Sequence, residues 1–260
     1  MADVQKVSIL GSNISVLDLD ETIGRLCELA EGGGKHYICI SNVHTVVTGL
    51  EDAEYKKVTN SASLATADGV PLIWASKVLG GPAIHGRASG PDIMERLFAD
   101  PSRRHLRHYF YGSTPEVLEQ LMQALKRDVP GLQIAGYHSP PFRPAKAPSA
   151  PLDAEELEDC RRIDAAKPHF VWVGLGAPKQ EIWMYRTRQH LNAPVSLGVG
   201  AAFDFLAGNK KRAPMWMQKT GLEWAYRFIQ EPRRLASRYL KTNPVFVAAV
   251  AKEAVARRLR

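Results

Sequence analysis

Cysteine is scarce. The 260-residue chain has three, Cys27, Cys39 and Cys160. They are odd in number and widely spaced, so they read as small buried hydrophobes in a reducing compartment, not as a disulfide framework or a metal site. No run of 18 apolar residues occurs, which argues against a spanning helix. Met1 to Lys6 lack the basic-then-apolar order of a signal peptide. The G-x-G-x-x-G fingerprint and the P-loop are also missing, against a nucleotide-cofactor oxidoreductase. No clustered histidines and no chelating carboxylate pair are recognised, so no metal cofactor is expected. What is present, 45% hydrophobic and 23% charged residues, is ordinary globular composition. A cytosolic chain is predicted.

Charge is unevenly spread. Residues 210–260 hold 13 Lys and Arg against Glu223, Glu231 and Glu253, a balance of +10; the remaining 21 cations and 24 acids leave residues 1–209 at −3. A basic tail on a mildly acidic body predicts a polyanionic partner: a membrane surface, a nucleic acid or a phosphorylated ligand.

Short β-rich runs at Val7–Leu10, Tyr37–Ile40, Leu106–Tyr111, Leu132–Tyr137, Phe170–Gly174 and Val195–Val199 alternate with helical patterns. One helix is predicted over Val117–Arg127, opened by Ser113-Thr114-Pro115-Glu116 with Ser113 as cap. A second spans Leu152–Lys167. Alternation of this kind predicts an α/β fold, a Rossmann-like parallel sheet flanked by helices. Five prolines between Ser139 and Pro151 rule out helix or central strand there, so a stiff loop is predicted. After Asn209 no strand run returns. Helices over Pro214–Ile229, Arg233–Lys241 and Val245–Leu259 are predicted instead, the last opened by Asn243-Pro244. The division is a body at 1–209 and a basic helical appendage at 210–260.

In such sheets ligands sit beyond the carboxyl ends of the strands. Four clusters fall there: Ser41-Asn42-Val43-His44, Ala67-Asp68-Gly69, Gly174-Leu175-Gly176-Ala177-Pro178-Lys179-Gln180-Glu181, and Gly198–Asp204 with Gly200. Gly174 and Gly176 let backbone approach a ligand, and exposed amides with Lys179 favour a phosphate; a tight strand–helix turn explains the same residues. Asp68 suits a general base, although spacing alone favours a helix N-cap. His44 reads as a second base or as a structural residue. Gln180 and Glu181 could hold sugar hydroxyls or face solvent. Arg87 could clamp phosphate bidentately or be a surface arginine.

These clusters occur in order with Arg87-Ala88-Ser89-Gly90-Pro91-Asp92, Tyr111-Gly112-Ser113, Gly136 to Phe142, Arg212-Ala213-Pro214 and Gly221-Leu222-Glu223-Trp224. Taken together, from about Asn42 to Asn243, the chain resembles the WecG/TagA/CpsF family of bacterial glycosyltransferases (glycosyltransferase family 26). The resemblance implies inverting transfer of a sugar from a UDP-sugar to a polyprenyl-diphosphate-linked saccharide in surface polysaccharide synthesis. The enzyme would sit peripherally on the anionic inner face of the cell membrane. Asp68 matches the general base, and Arg87 and Gln180 match active-site residues. Asn42, Gly174, Gly176, Lys179, Glu181, Gly200 and Asp204 fall to the donor nucleotide; Arg212, Arg227, Arg234, Arg238 and Lys241 fall to the acceptor diphosphate or the membrane. One departure is Ile40, where some members carry Thr, with Ser41 the nearest hydroxyl. The rival reading is a nucleic-acid-binding protein using Trp216, Trp224, Tyr226 and the tail arginines for stacking and charge. Self-association is left open.

Overall fold

The structure, a computed structural model, describes residues 4–259, with the side chain of Arg234 outside the described residues. The chain opens with an antiparallel hairpin, β1 (Lys6–Ile9) and β2 (Ser12–Ser15), followed by α1 (Leu19–Gly32). Then come β3 (His36–Ser41), α2 (Val43–Glu51), α3 (Ala53–Asn60), β4 (Leu64–Ala67), α4 (Val70–Val78) and α5 (Gly90–Ala99). The second half runs β5 (Arg107–Gly112), α6 (Pro115–Asp128), β6 (Gln133–His138), α7 (Ala154–Ala165), β7 (Phe170–Gly174), α8 (Lys179–Thr187), β8 (Val195–Gly198) and α9 (Ala202–Leu206). Three helices close it: α10 (Met215–Lys219), α11 (Glu223–Gln230) and α12 (Pro232–Arg258).

The predicted α/β architecture is present. Six strands pair in parallel in the order β4-β3-β8-β7-β5-β6. Both faces are covered, so the strands read as apolar runs, and alternate residues point to opposite sides. On one face Ile38, Phe110, Trp172 and Leu197 pack with α1, α5, α6 and Phe203. On the other, Cys39, Tyr111, Val171 and Val173 pack with α2, α4, α8 and the hairpin. Phe246 and Ala254 of α12 join this second cluster.

Local chemistry corrects several boundaries. The cap of α6 is Thr114, whose hydroxyl accepts from Val117 N–H; Ser113 sits in the left-handed region at φ 63°. The helix predicted over Pro214–Ile229 is two, broken at Gly221 with φ 77°. A Cβ there would be strained by the backbone and tight against Val70 at 3.2 Å. In the opposite sense, the two helices predicted after Pro232 are one, α12, with Pro244 inside it. Pro244 removes one backbone donor, to the carbonyl of Leu240. Leu240 is an exposed position where water can replace it, while buried Leu235 and Phe246 on either side of Pro244 anchor the helix.

Candidate active site

A cavity of about 550 Å³ lies between the carboxyl ends of β3 and β4 and the helices α10–α12. Its polar lining includes Asn42, Asp68, Arg87, Glu223, Arg227 and Arg238. The rest of the wall is largely apolar: Val43, Val70, Trp74 and Val78 face Phe246, Val247 and Val250 across it.

Asp68 follows β4, where its backbone N–H donates to the Ser41 carbonyl at 2.8 Å. It is not the cap of α4. That position is Gly69, with no side-chain capping bond, so the carboxylate is left to the cavity. Burial pushes the Asp68 pKa up to about 6; Glu223 adds to the rise, Arg227 and Arg87 oppose it, and Asp92 adds slightly. Asn42, by contrast, spends its side chain on a capping box with Thr45 at the start of α2 while also lining the cavity. Burial and Arg238 drive the His44 pKa down to about 4, so its imidazole is neutral at pH 7 beside the same cavity.

Arg87 precedes α5, and its guanidinium has three acceptors. Nη1 donates to Glu223 Oε2 at 2.5 Å; Nη2 donates to Asp92 Oδ2 at 2.8 Å and Gln218 Oε1 at 2.6 Å. Arg212 shares two of those partners, donating to Asp92 Oδ1 at 2.6 Å and Gln218 Oε1 at 3.1 Å, and also pairs with Glu95. Arg212 therefore ties the C-terminal helices to α5 and does not line the cavity. Lys241 pairs with Glu51 at 2.9 Å on the outside of α2. Arg227 lies over the Phe205 ring and lines the cavity, as does Arg238. Arg234 falls on α12 with its side chain outside the described residues.

The glycine-rich cluster sits at the carboxyl ends of β7 and β8, outside the cavity wall. Gln180 Oε1 accepts from Gly176 N–H at 3.1 Å and Gly200 N–H at 3.0 Å, and its Nε2 donates to Glu181 Oε1 at 2.9 Å. At 4% exposure, Gln180 is a clamp between two loops. Glu181, at 1% exposure, points into the core, and burial pushes its pKa up to about 7. Neither faces solvent, one of the two readings that the sequence left open. Gly174 is required by packing, since a Cβ would lie 2.6 Å from the Phe203 ring. Lys179 rests over Phe142 of the proline-rich loop, 4.5 Å from its centroid. Asp204 pairs with Lys210 at 3.6 Å. Ile40 and Ser41 are both buried and line no part of the cavity.

One Asp-x-Asp spacing does occur, Asp18-Leu19-Asp20, against the reading that found no chelating pair. Asp18 caps α1 and Asp20 pairs with Arg96; neither lines the cavity. Among the described residues no three His, Cys, Asp or Glu side chains gather as a metal site, and no helix is long and apolar enough to cross a membrane. The residues missed in sequence are Glu223 and Gln218. Their signal was weak: one acid and one amide within a basic stretch.

The sequence matches the family described as "Glycosyl transferase WecG/TagA/CpsF family" over residues 7–260. It is 32% identical to the N-acetylglucosaminyldiphosphoundecaprenol N-acetyl-beta-D-mannosaminyltransferase of Bacillus spizizenii, over 83% of this chain and 79% of that one. It is 30% identical to the protein of the same name from Staphylococcus aureus, over 96% of this chain and 94% of that one. With match and relatives covering nearly its whole length, the chain belongs to the WecG/TagA/CpsF family of glycosyl transferases.

Proposed function

We propose that this protein transfers an N-acetylmannosaminyl residue from a UDP-sugar to an N-acetylglucosaminyl diphosphate carried on a polyprenyl chain, inverting the anomeric centre. The relatives' names supply the two sugars and the lipid. The observation that carries the reading is the cavity itself, lined by Asp68, three arginines and a largely apolar remainder.

Asp68 takes the proton of the acceptor hydroxyl as its oxygen attacks the anomeric carbon. The bond from that carbon to the UDP oxygen breaks, and UDP leaves with the electron pair. Arg227, Arg238 and Arg87 stand where charge on a diphosphate needs stabilising. In this reading guanidinium groups do a metal's work, and turnover survives excess EDTA.

The apolar wall would take the first isoprene units of the acceptor. At its rim Trp74 is 55% exposed and Val247 66%, an apolar edge beside cationic residues that suits an anionic membrane face. The nucleic-acid reading finds no support: Lys210, Arg212, Lys241 and Arg257 are paired with carboxylates, and Arg227 and Arg238 turn into the cavity.

The test is a series of N-acetylglucosaminyl diphosphates with lengthening prenyl chains and UDP-N-acetylmannosamine as donor. Burial of a CH₂ is worth ~0.8 kcal/mol, so KM should fall by roughly tenfold or more across the first units and then level off. A KM indifferent to chain length removes the lipid from the cavity.

A further inference from the structure

The start of α11 brings an acid into a site that the proposed reaction would have filled with bases and cations. Gly221, at φ 77°, turns the chain between α10 and α11 against Val70 at the start of α4. Glu223, two residues on, is the first residue of α11 and lines the same cavity as Asp68. Its carboxylate accepts from Arg87 Nη1, with the two side chains only 21% and 15% exposed. On the guanidinium's other nitrogen stand Asp92 from α5 and Gln218 from α10. Arg87 is thus held by the body through Asp92 and by the C-terminal helices through Glu223 and Gln218.

The charges facing Asp68 can be counted by element. α11 presents Glu223 and Arg227, the loop before α5 presents Arg87, and α5 presents Asp92. Arg238 of α12 also lines the cavity. Without Glu223, the guanidiniums near Asp68 would be opposed by Asp92 alone, and close positive charge makes a carboxylate a weaker base.

Resting on the proposed role of Asp68 as base, we infer that Glu223 is a positioning residue: it orients Arg87 by direct hydrogen bonding and keeps Asp68 basic by opposing Arg87 and Arg227. Burial raises the Asp68 pKa most, and Glu223 adds to that rise.

The experiment compares pH profiles of kcat for the full chain, Glu223→Gln, Glu223→Ala and Asp68→Asn. Donor and acceptor are UDP-N-acetylmannosamine and a short-chain polyprenyl-diphosphate N-acetylglucosamine, both saturating. The base works when deprotonated, so wild-type activity should fall as pH drops through the region near 6. Gln keeps reach and an acceptor oxygen for Arg87 but loses the charge, so its acid limb should move down by about one unit, the scale of one close charge, with the plateau largely kept. Ala loses both, and its plateau should also drop by roughly tenfold. Equal loss at every pH in both variants, with the limb unmoved, would reduce Glu223 to a structural contact and overturn the inference. Asp68→Asn separates the two ideas. If it is inactive while the Glu223→Gln limb stays put, only the Glu223 role fails; if it turns over normally, the base assignment itself fails.

Discussion

Asp68 and Gln180 show how differently neighbouring side chains use the same edge of a sheet. From sequence, an Asp before Gly and a helix favours a cap over a base. The structure separates them, because Gly69 takes the cap position and no side chain bonds to it. Lys179, Gln180 and Glu181 were legible as the start of a helix after a glycine turn, but not by direction. Successive residues of a helix point about 100° apart, so three adjacent polar residues cannot all face one ligand. Lys179 goes to the proline-rich loop, Gln180 to the loop amides, and Glu181 to the core. The clamp yields a prediction. Gln180→Leu leaves the Gly176 and Gly200 amides without their acceptor, a loss of about 1–3 kcal/mol. Calorimetry should show a lowered Tm, and UDP titration a weaker Kd, while acceptor KM changes little. An unchanged UDP Kd would show that the clamp serves stability alone.

At the scale of elements, all six strand runs read from sequence appear within one or two residues of their predicted ends. The central ones were legible because strands buried on both faces are continuous apolar runs, whereas β1 and the edge strand β6 are only partly buried. β4 was not legible. Leu64-Ala65-Thr66-Ala67 is short and small-sided, and its place in the sheet comes from pairing with β3 and from β2 packed beside it. Among the C-terminal helices the local rules misled in both directions: Gly221 breaks a helix that periodicity ran together, and Pro244 fails to break one that it should have ended. Packing decided each case. The apolar edge formed by α4 and α12 supports a further expectation. Replacing Trp74 and Val247 together by Ser should weaken sedimentation with anionic liposomes several-fold, on the scale of about 1.5–3 kcal/mol per large apolar side chain withdrawn from water. Activity on a short-chain acceptor in detergent should fall less. Unaltered liposome binding would move the membrane contact elsewhere.

For the whole molecule, the charge asymmetry singled out the last fifth of the chain but did not reveal what several of its cations do. Several hold the chain together: Arg212 ties α5 to α10, Lys241 ties α12 to α2, and Arg257 reaches the carbonyls of Leu79 and Ser8. Long-range pairing of this kind leaves no trace in local spacing. Phe246 and Ala254 share a core with the body, so cutting the chain after Asn209 would expose apolar surface as well as remove arginines, and single substitutions are the cleaner probe. The central claim is that Asp68 removes the acceptor proton in a transfer from UDP-N-acetylmannosamine to a polyprenyl-diphosphate N-acetylglucosamine. Its most direct test is the transfer rate of wild type against Asp68→Asn, with UDP-sugar affinity measured on both. The account predicts a rate lower by roughly a hundredfold or more in the variant with affinity nearly unchanged; near-normal transfer by Asp68→Asn would contradict it.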